Sequence, residues 1–453
     1  MKFLRDIFPA VLVFAIAVAV RVPSCYESFW VDELHSTWCV WGALGDVAPR
    51  AVVGNQSPVW FWALWLWRAI AGDSEVALRM SSVLCTAASA SLLCVAMTRK
   101  FNATAGLATG LVMAVETNSI FFGTELRPYA SIILLATLAV CSYLGESRSV
   151  LPIAVTTLIA AVIQPTSVVV MLGVLLLAMV DSGTLQRREK LAVVAMLMGM
   201  LAVFYFLLLP TWLVRERWGA FAVAPAFAKA TEVWSWLWLW LLPLLPIALF
   251  RSKDHRKFIA LGLLSVVVVF AFWFLSRTQW VHLWHRRYFI GLLPVFAVLV
   301  GGSVASMSRR RNLDWVWASV ILVGLMVSQG TIRQWAANPA YLAYRGEGWR
   351  EAIEWVNQSG KSAIAIEAGL IEAKSYVGND GKLAVETLDP LMREYLLCVI
   401  EGPYRLMSED VVPAVEPDVG ERSFVTRNQV RETGKSEGGT IKRFGNVSVV
   451  LQP

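Results

Sequence analysis

The first residues that could do chemistry are two adjacent acids, Asp32 and Glu33, in the segment Phe29-Trp30-Val31-Asp32-Glu33-Leu34-His35-Ser36. A carboxylate beside a membrane is costly unless it faces water, a partner or a substrate, so two in succession indicate a function. An imidazole near two carboxylates could help to bind a divalent metal, but so few candidate ligands without a repeating motif are weak evidence. The pattern therefore predicts a functional acid pair and leaves undecided whether a metal ion binds. If one does, Glu33 and His35 are its predicted ligands.

Further polar and aromatic residues stand at the ends of apolar segments, where side chains can reach an aqueous face. They are Gln56, Glu125, Arg127, Tyr129, Arg286, Arg287 and Tyr288. Each has an ordinary interpretation, because arginines at helix ends commonly extend to lipid headgroups, and Glu125 and Arg127 could form a structural pair. The combination is more informative than its members, since acids, arginines and aromatics gather at one predicted face of a membrane.

The elements that must position these residues are apolar. The chain has 453 residues, of which 57% are hydrophobic and 16% charged, and its mean hydropathy is +0.58. Soluble domains are far less apolar, so an integral membrane protein is predicted. Apolar runs of about 20 residues, enough to cross a bilayer, recur up to about Gly330. The predicted domains are therefore a transmembrane domain over 1–331 and a soluble domain over 332–453.

The basic residues indicate the membrane topology rather than a surface that binds nucleic acid. The net charge is +7, but the lysines and arginines are spread through short loops between apolar runs. The tryptophan-rich run 57–68 is too short for a full span and predicts an interfacial or re-entrant helix. If it does not cross, nearly every basic cluster falls on one side, which favours about eleven spans with the N-terminus and basic loops cytoplasmic. The acid pair and the C-terminal domain are then extracytoplasmic, in a plasma (inner) membrane.

The predicted spans alternate with short loops, and the C-terminal segment has a sequence pattern without spans. The spans are approximately 8–22, 76–97, 104–123, 129–145, 149–163, 166–181, 191–210, 232–250, 258–276, 288–307 and 314–331. In the C-terminal domain, a helix over 349–356 and strands over 362–366 and 446–451 predict a small α/β fold. It shows no glycine-rich phosphate loop, metal-ligand cluster or nucleophile elbow, so no chemistry is assigned to it.

Two features near the N-terminus leave alternatives open. The first apolar run also resembles a signal peptide, but an uncleaved first span is preferred because the chain continues as a polytopic protein. Cys25 and Cys39 flank the acid pair and could form a disulfide in an extracytoplasmic loop, although nothing in their spacing requires one.

The segment around the acid pair resembles the Asp-Glu motif of GT-C fold glycosyltransferases that use a polyprenyl-phosphate sugar donor. These include protein O-mannosyltransferases, aminoarabinose transferases that modify lipid A, and related bacterial family 39 and 83 enzymes. Four further stretches are similar to motifs of these enzymes, in the same order: Gln56–Phe61, Gly72–Ser82, Glu125–Ala130 and Arg287–Pro294. The resemblance covers most of residues 1–310. Ser57 and Ser81 stand where the family usually has proline, and Gln56 where relatives often have His or Lys.

This resemblance implies a fold and a set of roles. The fold would be a polytopic helical membrane domain with juxtamembrane helices in the first outer loop. Asp32 would be the base that takes the acceptor proton, in an inverting displacement, and Glu33 would orient the acceptor, support Asp32 or help to bind a metal. Arg287, and second Arg286, would bind the donor phosphate. Gln56 would assist them, and the cavity would be lined by Glu125, Arg127, Tyr129, His35 and Tyr288.

The partners implied are a polyprenyl-phosphate sugar donor, a lipid, glycan or protein acceptor, and membrane lipids, with no nucleic acid. The enzyme would be a hexosyl- or pentosyltransferase of the cell envelope. The alternative is a lipid or glycan transporter or flippase, whose sites usually lie near the bilayer midplane in repeated halves. The predicted span interiors are nearly free of charge, with Glu116 the main exception, and the sequence shows no internal repeat. These observations favour the glycosyltransferase.

Overall fold

The computed structural model describes residues 2–146, 149–183, 186–209, 224–232, 235, 237–250, 254–279, 284–308, 313–379, 381–415, 422–427 and 439–452. Over these residues the protein is predominantly helical. The helices are α1 (Lys2–Arg21), α2 (Val31–Trp41), α3 (Leu44–Val53), α4 (Pro58–Ala71), α5 (Glu75–Lys100), α6 (Ala103–Val115), α7 (Thr117–Thr124), α8 (Tyr129–Leu144), α9 (Leu151–Ile163), α10 (Val169–Ser182), α11 (Arg187–Val203), α12 (Phe227–Glu232), α13 (Leu242–Leu249), α14 (His255–Arg277), α15 (Leu293–Ser308), α16 (Asp314–Ser328), α17 (Thr331–Ala337), α18 (Trp349–Ser359) and α19 (Pro390–Leu396).

The protein is a polytopic helical membrane protein. Among the described residues, 5 helices are long and apolar enough to cross a membrane, or up to 7 when each of two bent pairs counts as one span. The bent pairs are α6 with α7, at 58°, and α16 with α17, at 61°. Four shorter apolar helices, at Tyr129–Leu144, Leu151–Ile163, Val169–Ser182 and Leu237–Leu249, coincide with further predicted spans. The full number of eleven crossings stays a prediction. Residues 210, 233, 234 and 236, which belong to two predicted spans, lie outside the described residues.

The chain divides into two compact units. Among the described residues, the first unit contains those up to Cys25 and those from Arg79 to Ala343, and the second contains Tyr26–Leu78 and those from Tyr344 onward. The second unit thus combines the segment that carries the acid pair with the C-terminal segment. The boundary predicted at 331 and 332 divides the chain by membrane topology, and it stays a prediction.

The core of the first unit surrounds α15. All residues from Leu293 to Ser306 are buried, which is typical of a helix surrounded by other helices. Small residues allow this close packing: a Cβ atom added at Gly301 would lie 2.0 Å from the Thr109 hydroxyl of α6. Small residues at helix contacts let backbones approach in membrane proteins. The central helix and α6 therefore pack closely at this point.

The second unit contains a five-stranded sheet in its C-terminal segment. Its strands are β1 (Ala363–Glu367), β2 (Asp410–Pro413), β3 (Ser423–Thr426), β4 (Thr440–Phe444) and β5 (Val447–Leu451), in the order β2-β1-β3-β5-β4. β1 is parallel to β2 and β3, and β5 is antiparallel to β3 and β4. α18 buries residues at helical spacing against this segment. The predicted helix over 349–356 and strands over 362–366 and 446–451 are thus confirmed, with their ends shifted by up to three residues.

Candidate functional site

Asp32 and Glu33 lie in the first turn of α2. Asp32 is half-buried, whereas Glu33 is fully buried. The Trp30 N–H donates to Oε2 of Glu33 at 3.4 Å, which is the return bond of a capping box. Glu33 therefore stabilises the start of the helix that carries Asp32, a structural function that the motif alone did not reveal. The roles predicted for the two acids in transfer stay predictions.

His35, one turn after Val31, is enclosed by aromatic rings. Its imidazole is 4% exposed, and its centroid lies 5.3 Å from that of Tyr395 and 5.9 Å from that of Phe61, both edge-on. Nε2 lies 3.4 Å from Sγ of Cys39. Within the described part of the chain, no group of three or more His, Cys, Asp or Glu side chains could hold a metal ion. Cys39 and Cys25 are not joined by a disulfide, so the bond that the sequence left open does not form.

The turn that carries Gln56 packs against the same imidazole. Gly54 lies so close to His35 that an added Cβ would be 2.3 Å from Nε2. Asn55 then adopts a left-handed backbone with φ of 53°, and the Gln56 N–H donates to the Ala51 carbonyl at 2.9 Å. Asparagine tolerates this conformation better than most residues. The structure thus places the turn before Gln56 against His35, and Gln56 itself is half-buried.

The sequence did not predict two buried residues of the C-terminal segment, Tyr395, which interacts electrostatically with Asp32, and its partner Glu372. Tyr395 and Glu372 are 4% and 5% exposed, and the Tyr395 hydroxyl is hydrogen-bonded to Glu372. Burial, and then the negative charges of Glu372 and Asp32, raise the pKa of Tyr395 well above its ordinary value. The phenol therefore stays protonated through the neutral range and keeps its proton for hydrogen bonding. No sequence pattern marks these residues, because they follow Asp32 by more than 300 positions.

Glu125, Arg127 and Tyr129 form a tight, buried segment in the first unit. Glu125 ends α7 and Tyr129 begins α8, and all three residues are at most 6% exposed. The Glu125 carbonyl accepts from the Arg127 N–H at 2.8 Å and from the Ser82 hydroxyl at 2.6 Å. The Tyr129 ring contacts Phe122 edge-on, with centroids 5.3 Å apart. The motif therefore makes a rigid corner between two helices.

Arg286, Arg287 and Tyr288 begin the 3₁₀ helix Arg286–Leu292 that leads into α15. Arg286 is exposed, and its Nη1 donates to Oδ1 of Asn118 at 3.4 Å. Arg287 is half-buried, and its guanidinium lies 5.3 Å from the Tyr288 ring centroid. The Arg287 N–H donates to Nδ1 of His285 at 3.3 Å, which caps the 3₁₀ helix.

A buried polar network connects Arg286 to the breaks of both bent helix pairs. Glu116, between α6 and α7, accepts from the Ser119 N–H at 2.7 Å and from the Asn118 amide at 2.8 Å. It also accepts from Nε2 of Gln329, at the end of α16, at 2.8 Å. Arg21 is fully buried and donates to the Met113 and Ala114 carbonyls at 3.0 Å each. These bonds satisfy backbone groups that a helix break leaves open.

Comparison with known proteins finds the whole fold in a solved structure. No family model matches the chain, and no curated protein sequence matches it. The structure of ArnT from Cupriavidus metallidurans bound to undecaprenyl phosphate is similar over 98% of this chain and 99% of that one, with 13% sequence identity and a TM-score of 0.53. The chain has the GT-C fold of ArnT. An oligosaccharyltransferase from Archaeoglobus fulgidus, in complex with zinc and sulfate, matches over 79% of this chain and 60% of that one, with 10% identity and a TM-score of 0.43.

The likeness to ArnT confirms the GT-C fold that the motifs predicted. The likeness extends beyond residues 1–310, where the sequence motifs lie, because it covers 98% of the chain. A fold alone assigns neither an activity nor the role of an individual residue. Asp32, Glu33, His35 and Gln56 belong to the second unit, whereas Glu125, Arg127, Tyr129, Arg286, Arg287 and Tyr288 belong to the first.

Proposed function

We propose that the protein is a membrane glycosyltransferase that moves a sugar from a polyprenyl-phosphate donor to an acceptor hydroxyl. The observation that carries the proposal is the full-length GT-C likeness to ArnT, a structure that holds undecaprenyl phosphate. The motifs named above support it independently, because they are properties of the sequence and not of the fold. The active face is extracytoplasmic, with the N-terminus in the cytoplasm of a plasma (inner) membrane. Sugars of the pentose or hexose class and lipid, glycan or protein acceptors all fit this chemistry.

The proposed reaction is an inverting displacement at the anomeric carbon. The acceptor oxygen attacks that carbon, the bond to the phosphate oxygen breaks, and polyprenyl phosphate leaves with the bonding electrons. Asp32 takes the acceptor proton, a task that a half-buried carboxylate at a helix start can perform. Arg287, assisted by Arg286 and Gln56, stabilises the phosphate charge through charge-assisted hydrogen bonds. The resemblance assigns the lining of the substrate cavity to Glu125, Arg127, Tyr129, His35 and Tyr288.

The experiment that tests this function uses purified full-length protein in lipid nanodiscs. Undecaprenyl phosphate carrying a radiolabelled pentose or hexose is incubated with the protein and a membrane extract, and transfer and release of undecaprenyl phosphate are measured. Asp32→Asn should lower the rate by about 10²- to 10⁴-fold, the contribution of a general base. Asp46→Asn is the matched control, because Asp46 is exposed in the first turn of the next helix. Normal transfer by a folded Asp32→Asn protein would refute the proposal.

A transporter or flippase remains the second candidate, and one observation favours it. Two bent helix pairs meet a buried network that contains Glu116, Gln329 and Arg21, and broken helices with charged groups are typical of transporter sites. Neighbouring protein groups donate hydrogen bonds to the Glu116 carboxylate, as in a structural network. Two results together would favour transport. The Asp32→Asn protein would move labelled undecaprenyl phosphate across the membrane of proteoliposomes, and the wild-type protein would transfer no sugar.

A further inference from the structure

The backbone that leads into Asp32 is held by side chains at three successive N–H groups. The Phe29 N–H donates to Oη of Tyr404 at 2.8 Å, the Trp30 N–H to Glu33, and the Val31 N–H to Oε2 of Glu347 at 2.9 Å. Helix starts leave such N–H groups without backbone partners. Two of the three acceptors come from the C-terminal segment, and Glu347 follows Val31 by 316 positions.

Glu347 is placed to hold the helix firmly. It is 7% exposed, and its Oε2 also accepts from the Trp349 indole N–H at 2.8 Å, while Oε1 accepts from Nε of Arg427 at 2.7 Å. Its backbone forms an antiparallel bridge with Gly445, in the turn between β4 and β5. A negative charge at the start of α2 is also favourable to the helix dipole. Trp349 and Arg427 thus hold the carboxylate, and the carboxylate holds the residue before Asp32.

Tyr404 supports the same backbone from a second network. Its hydroxyl accepts from the Phe29 N–H and donates to Oε1 of Glu75 at 2.6 Å, and Nη1 of Arg350 donates to that oxygen at 2.7 Å. Burial and the charge of Glu75 raise the pKa of Tyr404, so the phenol stays protonated. The Arg350 N–H donates to the Ser28 hydroxyl at 3.0 Å. The entry to α2 is therefore held on both sides of Trp30.

We propose that Glu347 is a positioning residue that fixes Asp32 for catalysis, so that the C-terminal α/β segment is a working part of the active centre. The inference rests on the proposed function, in which Asp32 is the base. Glu347 acts through the Val31 N–H, one residue before Asp32, and does not need to contact a substrate. A displacement of a reacting group by about 1 Å can cost about 10²-fold in rate. Loss of Glu347 therefore lowers the rate of the chemical step rather than the affinity for the donor.

The variants that test this role are Glu347→Ala and Glu347→Gln in the full chain, assayed in nanodiscs with undecaprenyl-phosphate-linked sugar. Glu347→Ala should lower kcat by about 10- to 100-fold and leave the donor KM within about twofold. Glu347→Gln should be intermediate, because its amide oxygen can still accept from the Val31 N–H while the ion pair with Arg427 is lost. Glu354→Ala, on the exposed face of α18, is the matched control and should match the wild type.

Hydrogen exchange followed by mass spectrometry supplies a readout that does not depend on activity. Peptides covering 29–41 should exchange faster in Glu347→Ala, whereas peptides from β1 and β5 should keep wild-type rates. Wild-type kcat and wild-type exchange over 29–41 in a folded Glu347→Ala protein would overturn the inference and leave the proposed function intact. Full activity of Asp32→Asn would instead refute the proposed function, and the exchange data would still decide whether Glu347 holds α2.

Discussion

The two units of the molecule hold their polar residues by different means. In the second unit, the helix that carries Asp32 is fixed by hydrogen bonds from residues more than 300 positions away, such as Glu347 and Tyr404. In the first unit, Glu116 and Arg21 are fixed at helix breaks inside the apolar core, by backbone groups and amides of adjacent spans. The comparison shows that long-range side-chain bonds position the acids, whereas interrupted helices position the polar groups within the spans.

This difference predicts which changes affect stability and which affect activity. An ion in a low-dielectric core is expensive when a partner is removed, because its desolvation is no longer offset. A buried backbone N–H is neutral, so removing its acceptor costs only about 1–3 kcal/mol of desolvation. Changes in the first unit's network should therefore act mainly on unfolding, and changes around Asp32 mainly on turnover.

The largest effect on stability is expected for Glu116→Leu. It removes the acceptor for Asn118, Ser119 and Gln329 and leaves the Arg21 charge buried, so the free energy of unfolding should fall by about 3–5 kcal/mol. The measurement is denaturation of the bicelle-reconstituted protein by SDS, followed by tryptophan fluorescence. Glu146→Leu is the control, since Glu146 is exposed. If the free energy of unfolding were unchanged and sugar transfer were lost, this network would have a catalytic role. The contrast between the two units would then be wrong.

A smaller effect, on donor binding, is expected for the two arginines before α15. Loss of a hydrogen bond to a charged group costs about 1.5–3 kcal/mol, so Arg287→Gln should weaken the binding of undecaprenyl phosphate by about 10- to 100-fold. Arg286→Gln should weaken it less, because Asn118 already accepts from that guanidinium. Native mass spectrometry with added undecaprenyl phosphate measures both. Equal binding by Arg287→Gln and by the exposed control Arg277→Gln would exclude Arg287 as the phosphate ligand.

The smallest effect is a pH dependence in the C-terminal sheet. Burial raises the pKa of Glu367, against the opposing bonds from Thr426 and nearby backbone groups. The stability that this group contributes is therefore fully present below its ordinary pKa and is lost as pH rises through the raised value. Glu367→Gln cannot ionise, so its melting temperature relative to the wild type should rise between pH 4 and pH 7. Glu409→Gln, at an exposed position, should show no such trend.

Much of the architecture could be predicted from the sequence, because membrane solvation acts on local patterns. Apolar runs, the short tryptophan-rich run that became α4, and the elements beginning near Trp349, Ala363 and Val447 were all found where the patterns indicated. The GT-C fold was recognised from short motifs and confirmed by the ArnT likeness. Glu116 was visible as an acid within a span, although its amide partner Gln329, 213 positions away, was not.

The contacts that hold the site could not be predicted. Glu347, Tyr404 and Tyr395 lie in a segment to which the sequence assigned no chemistry, and they act on α2 only because the chain returns to it after more than 300 residues. Glu33 was predicted to serve the acceptor, Asp32 or a metal, whereas its capping bond to Trp30 depends on where α2 begins. Hydrogen bonds of this kind leave no periodicity in a sequence.

The sequence by itself determined a membrane protein with an acid pair, arginines at helix ends and a C-terminal α/β segment, because hydrophobic periodicity and charge placement are local properties of the chain. The tertiary structure decided what surrounds the acids: that Glu33 is buried as a helix cap, that His35 is enclosed by aromatic rings, and that Glu347 holds the backbone before Asp32. The physical reason is that a buried donor must find an acceptor wherever the folded chain supplies one, whatever its distance in sequence.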